Sequence, residues 1–480
     1  MATNQTKGED FELHEMTIGP KERFEFVETL EEKIRRRFIG QEWAVKEVLR
    51  RVSRRNAKIG NTNLPIANIF IAGPTGSGKT EFAKVLAGCW PKSVFLKCNL
   101  PTCGWEIHED EVRTRLTEKT LSPVIAEGLQ QWLRGDKRRR PMVICPICIG
   151  RNGQKKKKTP DGPTGELIPH EQDNLITIDC TQYGGTLEHN LTQLIGSSVG
   201  YVGYSDRPVL HPRNLMGGTK VVLWDEFEKG LFDYLGEPTQ LGPLLLRIID
   251  EGKLTINSNS GGETTAEVSF SNVINIITSN IGTDEIMKRF KAGEIGFLRG
   301  EEKPLSKYTD AELLSLNNAI YKIVKEAVEK RLPPELFNRI AFRGRLIVFR
   351  FLRDEEYIEI LNRQVLRDVQ RQLNQGGMKI RLEYSPEALQ LILKETGTDR
   401  QFGARPLQAL AERWIIDKVC DLINYRKVKS GDVLLVDTRV RPDEDTGEEK
   451  EQIIIFRKRI RREGVEVRTQ NLTQGKGRDA

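Results

Sequence analysis

Asn68-Ile69-Phe70-Ile71-Ala72 runs directly into Gly73-Pro74-Thr75-Gly76-Ser77-Gly78-Lys79-Thr80. The first five residues have the length and apolar character of a buried strand, and Phe82, Val85 and Leu86 beyond the glycines recur at helical spacing. Strand, glycine-rich turn and helix together give G-x-x-x-x-G-K-[ST] its mechanism, because successive backbone N–H groups and a helix N-terminus offer fixed positive dipoles to a polyphosphate. Residues 73–80 match the motif in full. Gly73, Pro74, Thr75, Gly76, Ser77, Gly78, Lys79 and Thr80 are therefore the expected ATP-binding set, with Lys79 reaching the β- and γ-phosphates and Thr80 ligating Mg²⁺.

Further apolar runs follow at residues 175–178, 220–224 and 272–278, separated by polar or helical stretches. Uninterrupted runs of this kind are the pattern of parallel strands covered by helices on both faces. The fold class expected is α/β, a P-loop large domain with a parallel sheet and a smaller, mainly helical C-terminal lid domain. The run Val221-Val222-Leu223-Trp224 ends in Asp225-Glu226. A strand end can hold Asp225 beside the Mg²⁺ while Glu226 faces the water that attacks the γ-phosphate; alone, paired acids after a strand are often a solvated turn.

Upstream, Val27, Leu30, Ile34 and Phe38 recur every three or four residues, Gly40-Gln41 breaks the pattern, and a second helix is expected from about Glu42 to Asn56. Beyond Arg345 three amphipathic stretches carry Ile358, Leu361 and Val365, then Leu389 to Leu393, then Leu407, Leu410 and Trp414. A strand-like run, Asp432–Val436, follows them, and an apolar run at Gln452–Phe456 is expected to close a terminal hairpin. The expected domains are a loose arm over 1–20, a large domain over 21–345 with 92–172 inserted, a small domain over 346–438 and a charged tail over 439–480.

Composition narrows the class. The 480 residues are 38% hydrophobic and 30% charged, and 75 Lys and Arg against 68 Asp and Glu leave a net charge of +7. This mild balance neither requires nor excludes nucleic acid. The apolar runs fall far short of the roughly 20 residues of a spanning helix, so no membrane association is expected. The first residues lack the apolar core of a secretory leader, and a cytoplasmic location is expected. Seven cysteines make no disulfide framework.

The ordered set of motifs resembles the Clp-type AAA+ ATPases, in particular the second ATPase ring of Clp disaggregases and unfoldases, over residues 24–91 and 173–437. Gly40-Gln41 is similar to that family's box before the nucleotide site, and Gly200-Tyr201-Val202-Gly203-Tyr204 to its pore loop. Asn280 in Thr278-Ser279-Asn280 falls where the first sensor stands. Arg339 in Pro334-Glu335-Leu336-Phe337-Asn338-Arg339 falls at the arginine finger, and Arg405 in Gly403-Ala404-Arg405-Pro406-Leu407 at the second sensor. Pro333, where the family commonly has arginine, and Ala341, where it often has an acid, depart from the pattern and leave details of subunit signalling open.

What the resemblance implies is an ATP-hydrolysing ring, expected to be a homo-hexamer, that threads protein substrates past Tyr201 and Val202. Glu226, Asn280, Arg339 and Arg405 are then the catalytic residues, and Arg339 acts on the γ-phosphate of a neighbouring subunit. Ile295-Gly296-Phe297 stands where protease-linked relatives dock a peptidase; a helix-end packing contact is the alternative.

Asp179 stands 99 positions after Thr80, far more than the resembled family uses between these strands, so the resemblance implies that residues 92–172 are an insertion. It carries Cys98-x₄-Cys103 and Cys145-x₂-Cys148, spacings suited to a tetrahedral Zn²⁺ site, with Cys180 or His170 as replacement ligands and four unrelated thiols as the alternative. Arg138–Arg140 and Lys155–Lys158 lie in the same stretch. They keep a second function open, a nucleic-acid-associated AAA+ motor or loader, though interleaved aromatic residues are sparse.

Overall fold

A computed structural model of the chain describes residues 25–100, 103–141, 143–151, 165–184, 189–197, 207–257, 265–291, 310–342, 345–350, 352–375, 377, 379–396, 404–442, 449–458 and 470–471. Its central sheet is five-stranded and parallel: β1 (Ala67–Ala72), β2 (Leu175–Asp179), β3 (Lys220–Asp225), β4 (Val273–Ser279) and β5 (Arg345–Val348). The spatial order is β5-β1-β4-β3-β2. In register, Ala72 faces Ser279 and Val348, while Asp225 faces Asp179. The residues that leave β1, β3 and β4 therefore emerge along one edge, the carboxyl ends of the strands, where open α/β sheets bind ligands.

The apolar runs form these strands because the sheet is covered on both faces. Successive side chains alternate between faces. Ile69, Ile71, Val221, Leu223, Ile274 and Ile276 pack with Ile34, Phe38, Val48 and Phe82 of the N-terminal and phosphate-loop helices. Phe70, Val222, Trp224 and Ile277 pack on the other face with Leu245, Ile248, Val324 and Val328. One polar ladder crosses this interior: Trp224 Nε1 donates to Asn275 Oδ1 (3.2 Å) and Asn275 Nδ2 to Asn68 Oδ1 (2.7 Å).

A second core, with Leu361, Leu391, Leu407, Ile415 and Val419, belongs to the helices after residue 352. Those helices are backed by a sheet in which Arg381–Tyr384 pairs parallel with Val433–Pro442, and that strand antiparallel with Glu449–Lys458. The hairpin expected at Gln452–Phe456 is present, and it crosses the expected boundary at 438: pairing runs on to Pro442 and Glu449. The physical reason is burial, since Ile453 and Ile455 share the small domain's core with Leu434 and Val436.

The inserted stretch has its own three-stranded antiparallel sheet, Glu106–His108 beside Ser93–Cys98 beside Leu167–Gln172, under helices Glu109–Thr117 and Pro123–Arg134. Leu96, Ile107, Val112, Leu129 and Trp132 make its core. Polar anchors among the described residues hold it to the large domain, one of them Gln172 Nε2, which donates to the Asn214 carbonyl (3.0 Å). The fully buried Lys220 donates to Ser93 Oγ (2.9 Å), the Asp173 carbonyl (3.2 Å) and Asn174 Oδ1 (3.3 Å). Glu106, also buried, pairs with Arg207 (2.8 Å) and Arg213 (3.1 Å).

Candidate nucleotide site

At the end of β1 the chain turns on Gly73, whose φ of +145° lies outside the usual range of an L residue, and a Cβ there would stand 2.6 Å from the Phe349 carbonyl oxygen. Gly76 (φ +77°) and Gly78 (φ +94°) complete a turn that opens the helix Lys79–Ala87. Lys79 is buried, and its Nζ donates to the carbonyls of Gly73 (2.8 Å) and Pro74 (2.9 Å). Burial pushes its amine down to about 8, against the opposing pull of Glu228, Asp225 and Glu226. A cation folded back onto loop carbonyls inside a glycine cradle fits a polyphosphate: the cradle takes the phosphates and the ammonium gains an anion.

Beside it, Thr80 Oγ1 donates to Asp225 Oδ1 (3.0 Å). Thr278 Oγ1 donates to the same oxygen (2.5 Å) and accepts from the Glu226 backbone N–H (3.2 Å). Glu226 is held at φ +51°, an uncommon conformation for a residue with a Cβ. Asn280 Nδ2 then donates to Glu226 Oε1 (3.2 Å), and the Asn280 N–H to Glu228 Oε1 (3.1 Å). Hydroxyl, carboxylates and amide thus converge at the ends of three adjacent strands. Thr80 and Asp225 are oxygen donors of the kind Mg²⁺ takes alongside phosphates.

A cleft of about 1470 Å³ opens here between the large and small domains. Its lining brings the phosphate loop, Asp225, Glu226 and Asn280 of the large domain together with Arg363, Arg367, Arg371 and Arg405 of the small domain, and includes Arg36 and Arg37. This much positive charge focuses a field suited to a polyanion. Arg405 opens the helix Arg405–Ala411. Arg339 is elsewhere: on helix Pro334–Phe342 it ion-pairs with Asp250 (2.7 Å) and does not join the described lining of the cleft.

Gln41, outside the described lining of the cleft, ties the start of the helix Glu42–Asn56 to Arg350. Held at φ +52°, it donates through Nε2 to the Arg350 carbonyl (2.8 Å) and accepts from the Arg350 N–H (3.1 Å). The Arg350 guanidinium in turn grips Glu356. Burial of Glu356 opposes its charged form, but Arg350 and the Arg353 N–H outweigh it and hold the carboxyl below its usual range. Sequence reading misses Thr278 and Glu228 as site residues. Thr278 alone had a signal, a hydroxyl two residues before Asn280 near the end of a mostly apolar strand.

In the insertion, Cys98, Cys103, Cys145 and Cys148 bring all four Sγ atoms within 4.8 Å of one another. Neither Cys180 nor His170 joins that group. Tyr201, Val202, Ile295-Gly296-Phe297, Gly403 and Lys155–Lys158 lie outside the described residues.

Comparison with known proteins accords with this geometry. The family described as AAA domain (Cdc48 subfamily) matches residues 147–343, which hold Asp225, Glu226, Asn280 and Arg339. The C-terminal, D2-small domain of ClpB protein matches residues 352–436. A probable chaperone protein ClpB 1 from Chlorobaculum tepidum is 28% identical over 405 residues, covering 84% of this chain and 66% of that protein. An ATP-dependent Clp protease ATP-binding subunit ClpA homolog from Pyropia yezoensis is 27% identical over 85% of this chain and 36% of its own length. Among solved structures, a Saccharomyces cerevisiae Hsp104:casein complex in an extended conformation shares the fold, with a TM-score of 0.54 at 21% identity over 89% of this chain and 52% of that one.

Proposed function

The chain is a Clp-type AAA+ ATPase, homologous to the second ATPase ring of ClpB, ClpA and Hsp104, and from that premise we propose that it is an ATP-dependent protein unfoldase or remodelling chaperone. The observation that carries this reading is the meeting of Thr80, Asp225, Thr278, Glu226 and Asn280 at one sheet edge, opposite the small domain's Arg405.

In this reading the loop 73–80 binds the phosphates and Lys79 exchanges its carbonyl partners for them. Thr80 and Asp225 hold Mg²⁺, which supplies charge neutralisation at the phosphates when bound. Glu226, oriented by Asn280, accepts a proton from the attacking water. Arg405 links nucleotide state to the angle of the small domain. Arg339 serves the pocket of the next subunit in a homo-hexamer, a role supported by its place outside its own chain's cleft. Tyr201 and Val202 grip the substrate chain by apolar contacts of low sequence specificity. Zn²⁺ is assigned to the insertion, apart from the motor site. The domain division of the sequence reading is kept, with the terminal hairpin added to the small domain, and the location proposed is cytoplasmic. Among the described residues no helix is long and apolar enough to cross a membrane.

The chain spans 66% of the Chlorobaculum ClpB and about a third of the longer relatives. The ClpA homologs are named as ATP-binding subunits of a protease, which supports a peptidase partner, and Ile295-Gly296-Phe297 is the docking segment we propose for it. The nucleic-acid reading loses weight because Arg138, Arg139 and Arg140 each have an acidic neighbour, Glu171, Asp136 and Glu166.

Tyr201→Ala tests the pulling role. Basal ATP turnover should persist while unfolding of a tagged substrate stops; equal loss of both, or stimulation of turnover by DNA and not by unfolded protein, would reject the unfoldase reading.

A further inference from the structure

We propose that the insertion is closed by one structural Zn²⁺ bound to Cys98, Cys103, Cys145 and Cys148. Three of the six Sγ–Sγ distances are already near the edge length of a ZnS₄ tetrahedron, Cys98 to Cys148 3.7 Å, Cys103 to Cys145 3.6 Å and Cys103 to Cys148 3.5 Å, and all four Sγ atoms lie within 4.8 Å of one another. Four sulfurs each about 2.3 Å from a central Zn²⁺ would lie about 3.8 Å apart. Disulfides do not explain the cluster. Bonded sulfurs sit about 2.05 Å apart, and here Cys103 and Cys148 each approach two others, so the group does not divide into pairs.

The backbone around the cysteines is built for the purpose. Cys148 N–H bonds to the Cys145 carbonyl (3.1 Å) and Cys103 N–H to the Leu100 carbonyl (3.0 Å), two tight turns that present their thiols to one point. A third segment is fastened alongside: Cys145 N–H donates to the Gly165 carbonyl (2.8 Å) and Gly165 N–H to Asn99 Oδ1 (2.8 Å). Gly165, at φ +79°, leaves room that a Cβ would fill, 3.1 Å from Cys148 Cβ. Thiols are weak donors and acceptors. Gathering four of them, two fully or almost fully buried, gains little without a cation to bind.

Four thiolates complete the coordination and leave no position for water, which makes the ion a staple and not a Lewis acid. It joins helix Pro146–Arg151 to strand Ser93–Cys98, and that strand is anchored through Ser93 to Lys220 of β3. The metal thus sets the shape of a module whose own core is small, without touching the phosphate loop.

Elemental analysis of the full chain, purified without chelator, should find about one zinc per chain, and Cys103→Ser with Cys145→Ser should remove it. Chelation of the unsubstituted protein should raise amide exchange across residues 93–172 and leave binding of a fluorescent ATP analogue unchanged. Zinc far below stoichiometry, iron in its place, or a double variant that keeps its zinc would each overturn the assignment. Should the double variant not fold, the metal content and chelation response of the unsubstituted chain decide the matter alone.

Discussion

Asn280 Nδ2 lies 3.2 Å from Glu226 Oε1, so an amide at the end of β4 holds the carboxylate at the end of β3. Both residues leave strands that are nearly all buried, which fixes the two side chains relative to the phosphate loop. Glu226→Gln keeps the shape and removes the base; ATP turnover should fall about 10²- to 10⁴-fold with nucleotide affinity preserved. Asn280→Ala should lower turnover in the same sense. A glutamine variant with normal turnover would remove Glu226 from the chemistry.

The Lys79 amine, depressed by burial to about 8, has a consequence for pH. Its folded value lies below its unfolded one, so the unfolded chain holds more protons between about 8 and the ordinary lysine value, and the nucleotide-free fold gains stability as pH rises through that window. Bound triphosphate favours the ammonium. Nucleotide affinity should therefore weaken above pH 8, by up to about tenfold per unit, and Lys79→Met should flatten the profile. Calorimetric titration at pH 7, 8 and 9 checks both.

Thr278 serves Asp225 and Glu226 at once. Thr278→Val preserves volume but strips the acceptor from the Glu226 N–H, and about 1–3 kcal/mol of stability should be lost, read from urea unfolding. The Mg²⁺ concentration needed for half-maximal turnover should rise too. Unchanged values of both would reduce Thr278 to a packing residue.

Arg339 can be tested by mixing. Arg339→Ala and Glu226→Gln should each be nearly inactive alone, whereas mixed rings regain turnover wherever an intact Arg339 borders an intact Glu226. No recovery on mixing would place the guanidinium's role within its own chain or nowhere in hydrolysis.

Much of this was legible because it is written in local spacing. The glycines of 73–80 are positions where φ or crowding forbids other residues, and the apolar runs of β1, β3 and β4 follow from burial on both faces. The paired cysteines could likewise be read from spacing. What could not be read depends on register between distant segments. Thr278 meets Asp225 only because β3 and β4 are neighbours, Arg339 finds Asp250 through helix packing, and Gln41 and Arg350 are 309 residues apart. The extent of the terminal hairpin was missed because its outer residues are polar and its pairing is set by Ile453 and Ile455 further in.

The two hydrogen bonds between Gln41 and the backbone of Arg350 have a mechanical outcome. A side-chain amide there takes the place of a neighbouring strand and welds the chain's departure from the large domain to the start of the helix Glu42–Asn56. Because Arg350 also grips Glu356 and Gln364 bonds to the Arg37 carbonyl, the weld extends into the lid's first helices, and a swing that carries Arg405 must either break those contacts or hinge beyond them.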